Sequence, residues 1–186
     1  MRKETAFILG AMEDGSLSSR PEIGDFTIEI EQKNEEWLKK LARYFEISFS
    51  AKPHISERKS KEVFRLRIYS KRIFQEIKKL RKSISKIQKQ NREVQRYFLR
   101  AVFDAEGSVH NKKFRITLSN KNEKLLLLCK KLLKNFEIET KKIWVYKWGV
   151  KVLPVLGKEN LKKFKKKIGF SHPNKNLKLI QLLKSG

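Results

Sequence analysis

Tyr97-Phe98-Leu99-Arg100-Ala101-Val102-Phe103-Asp104-Ala105-Glu106-Gly107-Ser108 runs from apolar residues into an acid, a glycine and a serine. Ala6-Phe7-Ile8-Leu9-Gly10-Ala11-Met12-Glu13-Asp14-Gly15-Ser16 does the same near the amino terminus, so that Asp14 and Glu106 lie 92 positions apart. Downstream of each comes an alternating segment that ends in Lys-Asn-Glu. These are Phe26-Thr27-Ile28-Glu29-Ile30-Glu31-Gln32-Lys33-Asn34-Glu35 and Phe114-Arg115-Ile116-Thr117-Leu118-Ser119-Asn120-Lys121-Asn122-Glu123, offset by 88. Two blocks in the same order at nearly the same offset make the chain a tandem duplication of about 90 residues. The first hairpin loop is the longer one, by four residues.

Each copy reads the same way by hydrophobic period. A helix with small residues four apart (Ala6 and Gly10, then Ala101 and Ala105) leads into period-two strands. Phe26, Ile28 and Ile30 share one face of the first copy, and Phe114, Ile116 and Leu118 that of the second. Asn34 and Asn122 are expected N-caps of amphipathic helices, each followed by a glutamate in the first turn. Trp37, Leu38, Leu41 and Phe45 form the apolar stripe of the first. A second strand pair is predicted at 47–55 with 63–69, and again at 138–147 with 150–156. Further basic helices follow near 71–80 and 158–167, and a last helix near 174–184. The reading is an α+β fold with αββαββα written twice, in halves 1–90 and 91–186, and residues 81–92 are polar enough for the linker.

The 186 residues carry 45 Lys+Arg against 20 Asp+Glu, a net charge of +25. A body this small and this cationic calls for a polyanion, and nucleic acid is the usual one. Lysine outnumbers arginine, which suits phosphate neutralisation. Basic residues interleave with the strands, whereas a membrane-surface helix needs one broad apolar face with a basic rim. No stretch approaches a membrane span, and the Met1-Arg2-Lys3-Glu4 start lacks a signal peptide's apolar core, so a cytoplasmic, nucleoid-accessible location is expected. The single cysteine, Cys129, excludes a disulfide framework and is expected as a buried core thiol.

The acids point to metal. Gly15 and Gly107 are expected as left-handed helix caps, which puts Asp14 and Glu106 at helix C-termini, where a carboxylate is disfavoured. Small residues allow the two motif helices to pack backbone to backbone, and both acids then arrive at one spot. A hard divalent cation relieves the repulsion, with Asp14, Glu106 and the adjoining Gly15 and Gly107 as its site and Mg²⁺ or Mn²⁺ as the ion. No Ser, Cys or His recurs as a matched pair, so no covalent nucleophile is indicated. His54, His110 and His172 read as loop or phosphate-contact residues.

At Leu99–Gly107 the sequence resembles, without a gap, the nine-residue motif of the LAGLIDADG homing endonucleases, and in particular their single-chain, intron-encoded archaeal type. Ala101, Ala105, Glu106 and Gly107 carry the likeness. The first copy departs from it: Gly10 to Asp14 is four residues where the family has five. Alignment on Asp14-Gly15-Ser16 keeps Asp14 as the acid, with Glu13 the alternative. The resemblance implies a pseudo-twofold saddle of two four-stranded antiparallel sheets straddling double-stranded DNA. It also implies a monomer with both motif helices at the interface, and metal-dependent hydrolysis of phosphodiesters in both strands. Gln32-Lys33 and Asn120-Lys121 match the family's catalytic polar-basic pairs, which order water around the scissile phosphates.

Alternation supplies a DNA-facing surface. Arg65, Arg67 and Tyr69 stand opposite Phe64, Leu66 and Ile68. Arg115, Thr117 and Ser119 stand opposite Phe114, Ile116 and Leu118, with Lys113 beside them. Trp144, Tyr146 and Trp148 stand opposite Ile143 and Val145, with Lys142, Lys147 and Lys151 close by. Arginines on a β-ribbon suit guanine in the major groove. Glu29 and Glu31 share the polar face with Thr27, and intramolecular ion pairs with Arg65 or Arg67 are favoured over contacts to cytosine. The rival readings are a DNA-binding regulator or RNA-splicing maturase on the same fold, and a basic RNA-binding structural protein, which leaves the paired acids unexplained. An intein is not expected, because terminal splicing nucleophiles are lacking.

Overall fold

A computed structural model describes residues 1–185 of the chain. The chain opens with α1 (Lys3–Ala11), then β1 (Ser16–Arg20) and β2 (Asp25–Gln32), α2 (Glu35–Phe49), β3 (His54–Arg58) and β4 (Val63–Tyr69), and α3 (Lys71–Lys82). The order then repeats as α4 (Arg92–Glu106), β5 (Gly107–Val109), β6 (Arg115–Asn120), α5 (Glu123–Asn135), β7 (Trp144–Val145), β8 (Lys151–Leu156) and α6 (Lys158–Lys167). One more helix, α7 (Pro173–Lys184), follows the second copy only. Asn34 and Asn122 cap α2 and α5, accepting from the Trp37 and Leu125 amides. No helix among the described residues is long and apolar enough to cross a membrane.

The strands form two four-stranded antiparallel sheets with the same order, β1-β2-β4-β3 and β5-β6-β8-β7. Ile28 and Ile30 pair with Ile68 and Leu66 on the covered face of the first sheet, and Ile116 and Leu118 pair with Val155 and Leu153 in the second. Helices cover those faces, giving one apolar core per sheet. The cores exchange residues through the motif helices: Ala6 and Leu9 of α1 lie in the second core, and Ala101 of α4 lies in the first. Small residues permit this. A Cβ on Gly10 would stand 2.6 Å from the Phe98 carbonyl oxygen and 2.8 Å from the Ala101 Cβ, so α1 and α4 touch backbone to backbone. Cys129 is a buried free thiol, as expected.

Several expectations are corrected. Residues 47–49 belong to α2, because Phe45 and Phe49 extend its buried stripe by another turn. β7 has two residues where ten were predicted, since 138–143 crosses as irregular chain. Residues 84–89 form a 3₁₀ helix that buries Ile87 and is more than a polar linker. Neither Gly15 nor Gly107 is left-handed. Gly107 is extended (φ −80°, ψ 151°) and already the first residue of β5. Its missing side chain matters for another reason: a Cβ there would collide with the Phe103 carbonyl, and one on Gly15 would meet Ile30 and Met12 at about 3 Å. His172 is buried at the start of α7, where burial lowers its pKa to about 4. That is no phosphate contact.

Candidate functional site

The two motif helices end differently. In α4 the Gly107 amide donates to the Phe103 carbonyl, four residues back, and the α-helix continues through Glu106. In the first copy the helix stops at Ala11. Three successive bonds then span three residues: Glu13 N–H to Gly10 (3.4 Å), Asp14 N–H to Ala11 (3.3 Å) and Gly15 N–H to Met12 (3.2 Å). This is 3₁₀ geometry, and it accounts for the short motif. Five α-helical steps from Ala101 to Glu106 rise about 7.5 Å and turn about 500°. From Gly10 to Asp14 two α-helical steps, closed by the Met12 amide on the Ile8 carbonyl, and two 3₁₀ steps together rise about 7 Å and turn about 440°.

The strands agree with that accounting. Ser16 pairs with Glu29, and Ser108 pairs with Thr117. Glu29 and Thr117 are the matched residues of β2 and β6, so Gly15 corresponds to Gly107 and Asp14 to Glu106. Glu13 is left inward of this position, partly buried near Arg81; burial raises its carboxyl pKa, which the Arg81 charge opposes.

Glu106 is half-buried. Its carboxyl is pushed up to about 7, first by burial and then by the negative charge of Asp14, with the Lys175 ammonium and the Asn120 amide opposing. Asn120 reaches it directly, Nδ2 donating to Oε1 at 3.3 Å. Asp14 is solvent-accessible, yet the protein crowded around it raises its carboxyl above the usual range, again with Lys175 opposing. The Asp14 charge thus bears on Glu106, and the two acids share one lysine. The Gln32 side chain turns back to accept from the Lys33 amide, at 3.2 Å, so the two polar partners are not used alike. Lys33 and Lys121 stand exposed where β2 and β6 give way to the caps of α2 and α5.

Lys175 escaped the sequence reading. It lies in the first turn of α7 and donates to the carbonyls of Phe103 (3.3 Å), Asp104 and Ala105 (3.2 Å), the open C-terminal end of α4. Burial lowers its pKa against the pull of Asp104, Asp14 and Glu106. The signal that could have found it is the asymmetry of the duplication, because α7 has no counterpart after α3. Asp104, fully buried, fixes α7 in place. It accepts from Trp37 Nε1 (3.0 Å), the Ser171 amide (3.0 Å) and hydroxyl (2.6 Å), and the His172 amide (3.1 Å).

The donor set suits a hard divalent cation: two carboxylates beside backbone carbonyls, with no thiol or imidazole. Among the described residues no cluster of three or more His, Cys, Asp or Glu forms. Two carboxylates are thus the side-chain donors this spot offers to a cation.

On the uncovered face of the first sheet, Glu29 and Glu31 form the favoured ion pairs. Arg67 meets Glu29 at 2.6 Å, while Arg65 and Arg58 meet Glu31 at 2.9 and 2.6 Å. The Arg65 side chain is only 11% exposed, so base reading by it requires the pair to open. Tyr69 is exposed beside Arg67. On the second sheet Arg115, Thr117 and Trp144 share the open face, with the Arg115 guanidinium 5.8 Å from the Trp144 ring centre. Lys113, Lys142 and Tyr146 are exposed near it. Lys151 is a correction: it is paired with Asn120, on the helix-covered side, and bonds to Glu123 at 2.5 Å. Val145 pairs with Lys151, on the face opposite Trp144 as expected, and is exposed.

Fold and site together define a pseudo-twofold α+β protein with one acid from each motif helix. Residues 93–169 match the model of a LAGLIDADG-like domain, and residues 4–94 that of the WhiA LAGLIDADG-like domain. The chain belongs to the LAGLIDADG family. Its fold is that of the homing endonuclease I-DmoI: the structure of that protein with DNA and Ca superposes with a TM-score of 0.75, at 24% identity, over 96% of this chain and 97% of the other. I-DmoI with DNA and Mn gives 0.72 at 23%, over 90% and 96%. The N-terminal LAGLIDADG domain of WhiA gives 0.66 at 18%, over 94% and 87%. No curated protein matches in sequence.

Proposed function

We propose that the chain is a metal-dependent, site-specific endonuclease that hydrolyses both strands of duplex DNA, acting inside the cell and as a monomer. The observation that carries this reading is the equivalence of Asp14 and Glu106: the same ladder position, one from each motif helix, close enough for one charge to raise the other's pKa. One chain then holds both acids, and the halves 1–90 and 91–186 supply one each.

In this reading Asp14 and Glu106 hold Mg²⁺ or Mn²⁺ beside Gly15 and Gly107. A cation so held neutralises charge on the scissile phosphate and lowers the pKa of bound water. Asn120 orients the Glu106 carboxylate through its amide. Lys175 keeps a fixed positive charge below the two acids and limits their repulsion when no cation is bound. Lys33 and Lys121 face the phosphates on either side of the dyad, with Gln32 and Asn120 ordering water next to them. Arg115, Thr117, Tyr69, Trp144, Lys113, Lys142 and Tyr146 meet the duplex along the open faces, and Arg65 and Arg67 read bases once Glu29 and Glu31 release them.

The test uses duplexes recovered from a random pool by binding to the protein, cloned into supercoiled plasmid. Linear product that requires Mg²⁺ or Mn²⁺ and is lost in Asp14→Asn and in Glu106→Gln supports the reading. A plasmid bound but left supercoiled overturns it. One observation favours a second reading, DNA binding without cleavage: the acid in the half that matches the WhiA domain lacks the amide contact that Glu106 receives from Asn120, because Gln32 turns back to its own chain.

A further inference from the structure

Trp148 is 92% exposed, more than any other large apolar side chain among the described residues, and it sits where a tryptophan is least at ease. It lies in the three-residue turn Lys147–Gly149 between β7 and β8, closed by a bond from the Tyr146 amide to the Val150 carbonyl at 2.9 Å. Its backbone is left-handed (φ 68°, ψ 16°), a region that favours glycine or asparagine and is strained for a bulky side chain. Its ring is almost wholly outside the protein, and its backbone conformation is one that a tryptophan adopts at a cost. An aromatic of this kind offers about 150–250 Å² of contact surface to something outside the chain.

The surroundings say what that is. Lys141, Lys142 and Lys147 are exposed around the turn, and Tyr146 stands beside it. The strip continues through Trp144 to Arg115 on the open face of the sheet. Cations flanking a presented aromatic fit a polyanion with stacked rings, which is nucleic acid. The first copy supplies a control within the molecule. Leu66 and Leu153 are matched strand residues, and five positions before them stand Lys61 and Trp148. The first turn, Lys59–Lys61, carries lysines and no aromatic. The second has Trp148 at the Lys61 position, with Lys147 and Gly149 where the first has Ser60 and Glu62.

We propose that Trp148 is an aromatic wedge that presses against a base step at the end of the duplex held by the second sheet. This rests on the DNA-binding part of the function proposed above, not on cleavage. A wedge partly unstacks the step it enters, and pyrimidine–purine steps yield most easily. The chain therefore selects a deformable step at one end of its target and only a phosphate path at the other.

The experiment compares the intact chain with Trp148→Lys, which reproduces the residue of the first turn, in selections from a random duplex pool with chelator present. The expected result is a pyrimidine–purine step enriched at one end of the wild-type pool and lost for the variant, with the rest of the site shared. Binding of the wild-type site should weaken about tenfold in Trp148→Lys, as for loss of one aromatic–base contact. 2-Aminopurine placed at the enriched step should brighten with wild type alone. Both proteins binding with identical pools and no brightening overturns the wedge. If wild type retains no duplex at all, the DNA-binding reading falls and takes the wedge with it.

Discussion

Trp37, in the helix α2 of the first copy, donates its indole N–H to the Asp104 carboxylate of the second motif helix at 3.0 Å, across 67 positions of sequence. The same carboxylate receives the Ser171 and His172 amides at the start of α7. One buried carboxyl group thereby joins the first copy, the motif helix and the helix that brings Lys175 to the acids. Burial raises the Asp104 pKa, while the hydrogen bonds from Ser171, Trp37 and His172 favour the anion.

Removing that carboxyl leaves buried donors without an acceptor. Asp104→Ala is expected to destabilise the chain by about 3–5 kcal/mol, in the range found when one partner of a buried charged network is lost. Trp37→Phe, which removes one N–H and keeps the ring, should cost about 1 kcal/mol. Urea unfolding measures both. Equal and small effects would show that the junction is held by packing alone.

The helix contact makes a sharper demand. A methyl on Gly10 meets the Phe98 carbonyl and Ala101, and one on Gly107 meets the Phe103 carbonyl. Backbone atoms cannot swing aside as a side chain does, so Gly10→Ala and Gly107→Ala should each cost about 1–3 kcal/mol or more. Gly24, whose Cβ would meet open space but whose φ is +69°, is the comparison for strain without a clash. Thermal melts of the three variants separate the two causes, and a Gly10→Ala melt at the wild-type temperature would contradict the close helix approach.

Much of this was legible in the sequence and some was not, for physical reasons. The duplication, the four strands per half and the Glu29 and Glu31 ion pairs follow from local period and same-face placement, which a linear string records. The left-handed caps expected at Gly15 and Gly107 did not form, because close approach to Phe103, Met12 and Ile30 also demands glycine and leaves the same letter. Lys175 was invisible for a different reason. Its partners are some 70 positions away, and α7 stands outside the repeat that guided the reading.

Glu106 predicts how metal and pH are linked. Its pKa in the fold is about 7, against the 4.5 it regains on unfolding. The raised value means that its protonation stabilises the metal-free fold fully below about pH 4.5, and that this contribution is lost as pH rises through about 7. A cation needs the carboxylate, so Mg²⁺ should raise the melting temperature more at about pH 8 than at about pH 6. Glu106→Gln should abolish that difference. An equal Mg²⁺ effect at both pH values would mean that Glu106 is not a ligand.

Lys175 should matter through charge. Lys175→Met keeps the bulk of the side chain's stem but removes the cation that opposes the raised pKa of both Asp14 and Glu106. The Glu106 titration, followed by carboxyl NMR in the metal-free chain, should then move above about 7. Lys175→Arg should restore it in part. A titration unchanged in Lys175→Met would leave the lysine with only a helix-capping role.

The 3₁₀ turn predicts which insertions the motif helices accept. One alanine placed between Ala11 and Met12 restores five steps between Gly10 and Asp14. The turn can then relax to α-helix, with a rise of about 7.5 Å and a rotation of about 500°, which is the path from Ala101 to Glu106 in α4. One alanine placed between Val102 and Phe103 makes six steps, about 9 Å and 600°, which swings Glu106 about 100° around the helix. Ser16 and Ser108 remain held by their strand partners Glu29 and Thr117, so the second insertion forces helix and strand into conflict while the first does not. The first variant should melt near wild type and cut both strands of the selected plasmid site; the second should melt lower and at best nick it. If the first insertion also reduces cleavage to nicking, the short motif is fixed by something other than the compensation of rise and rotation between the two helix types.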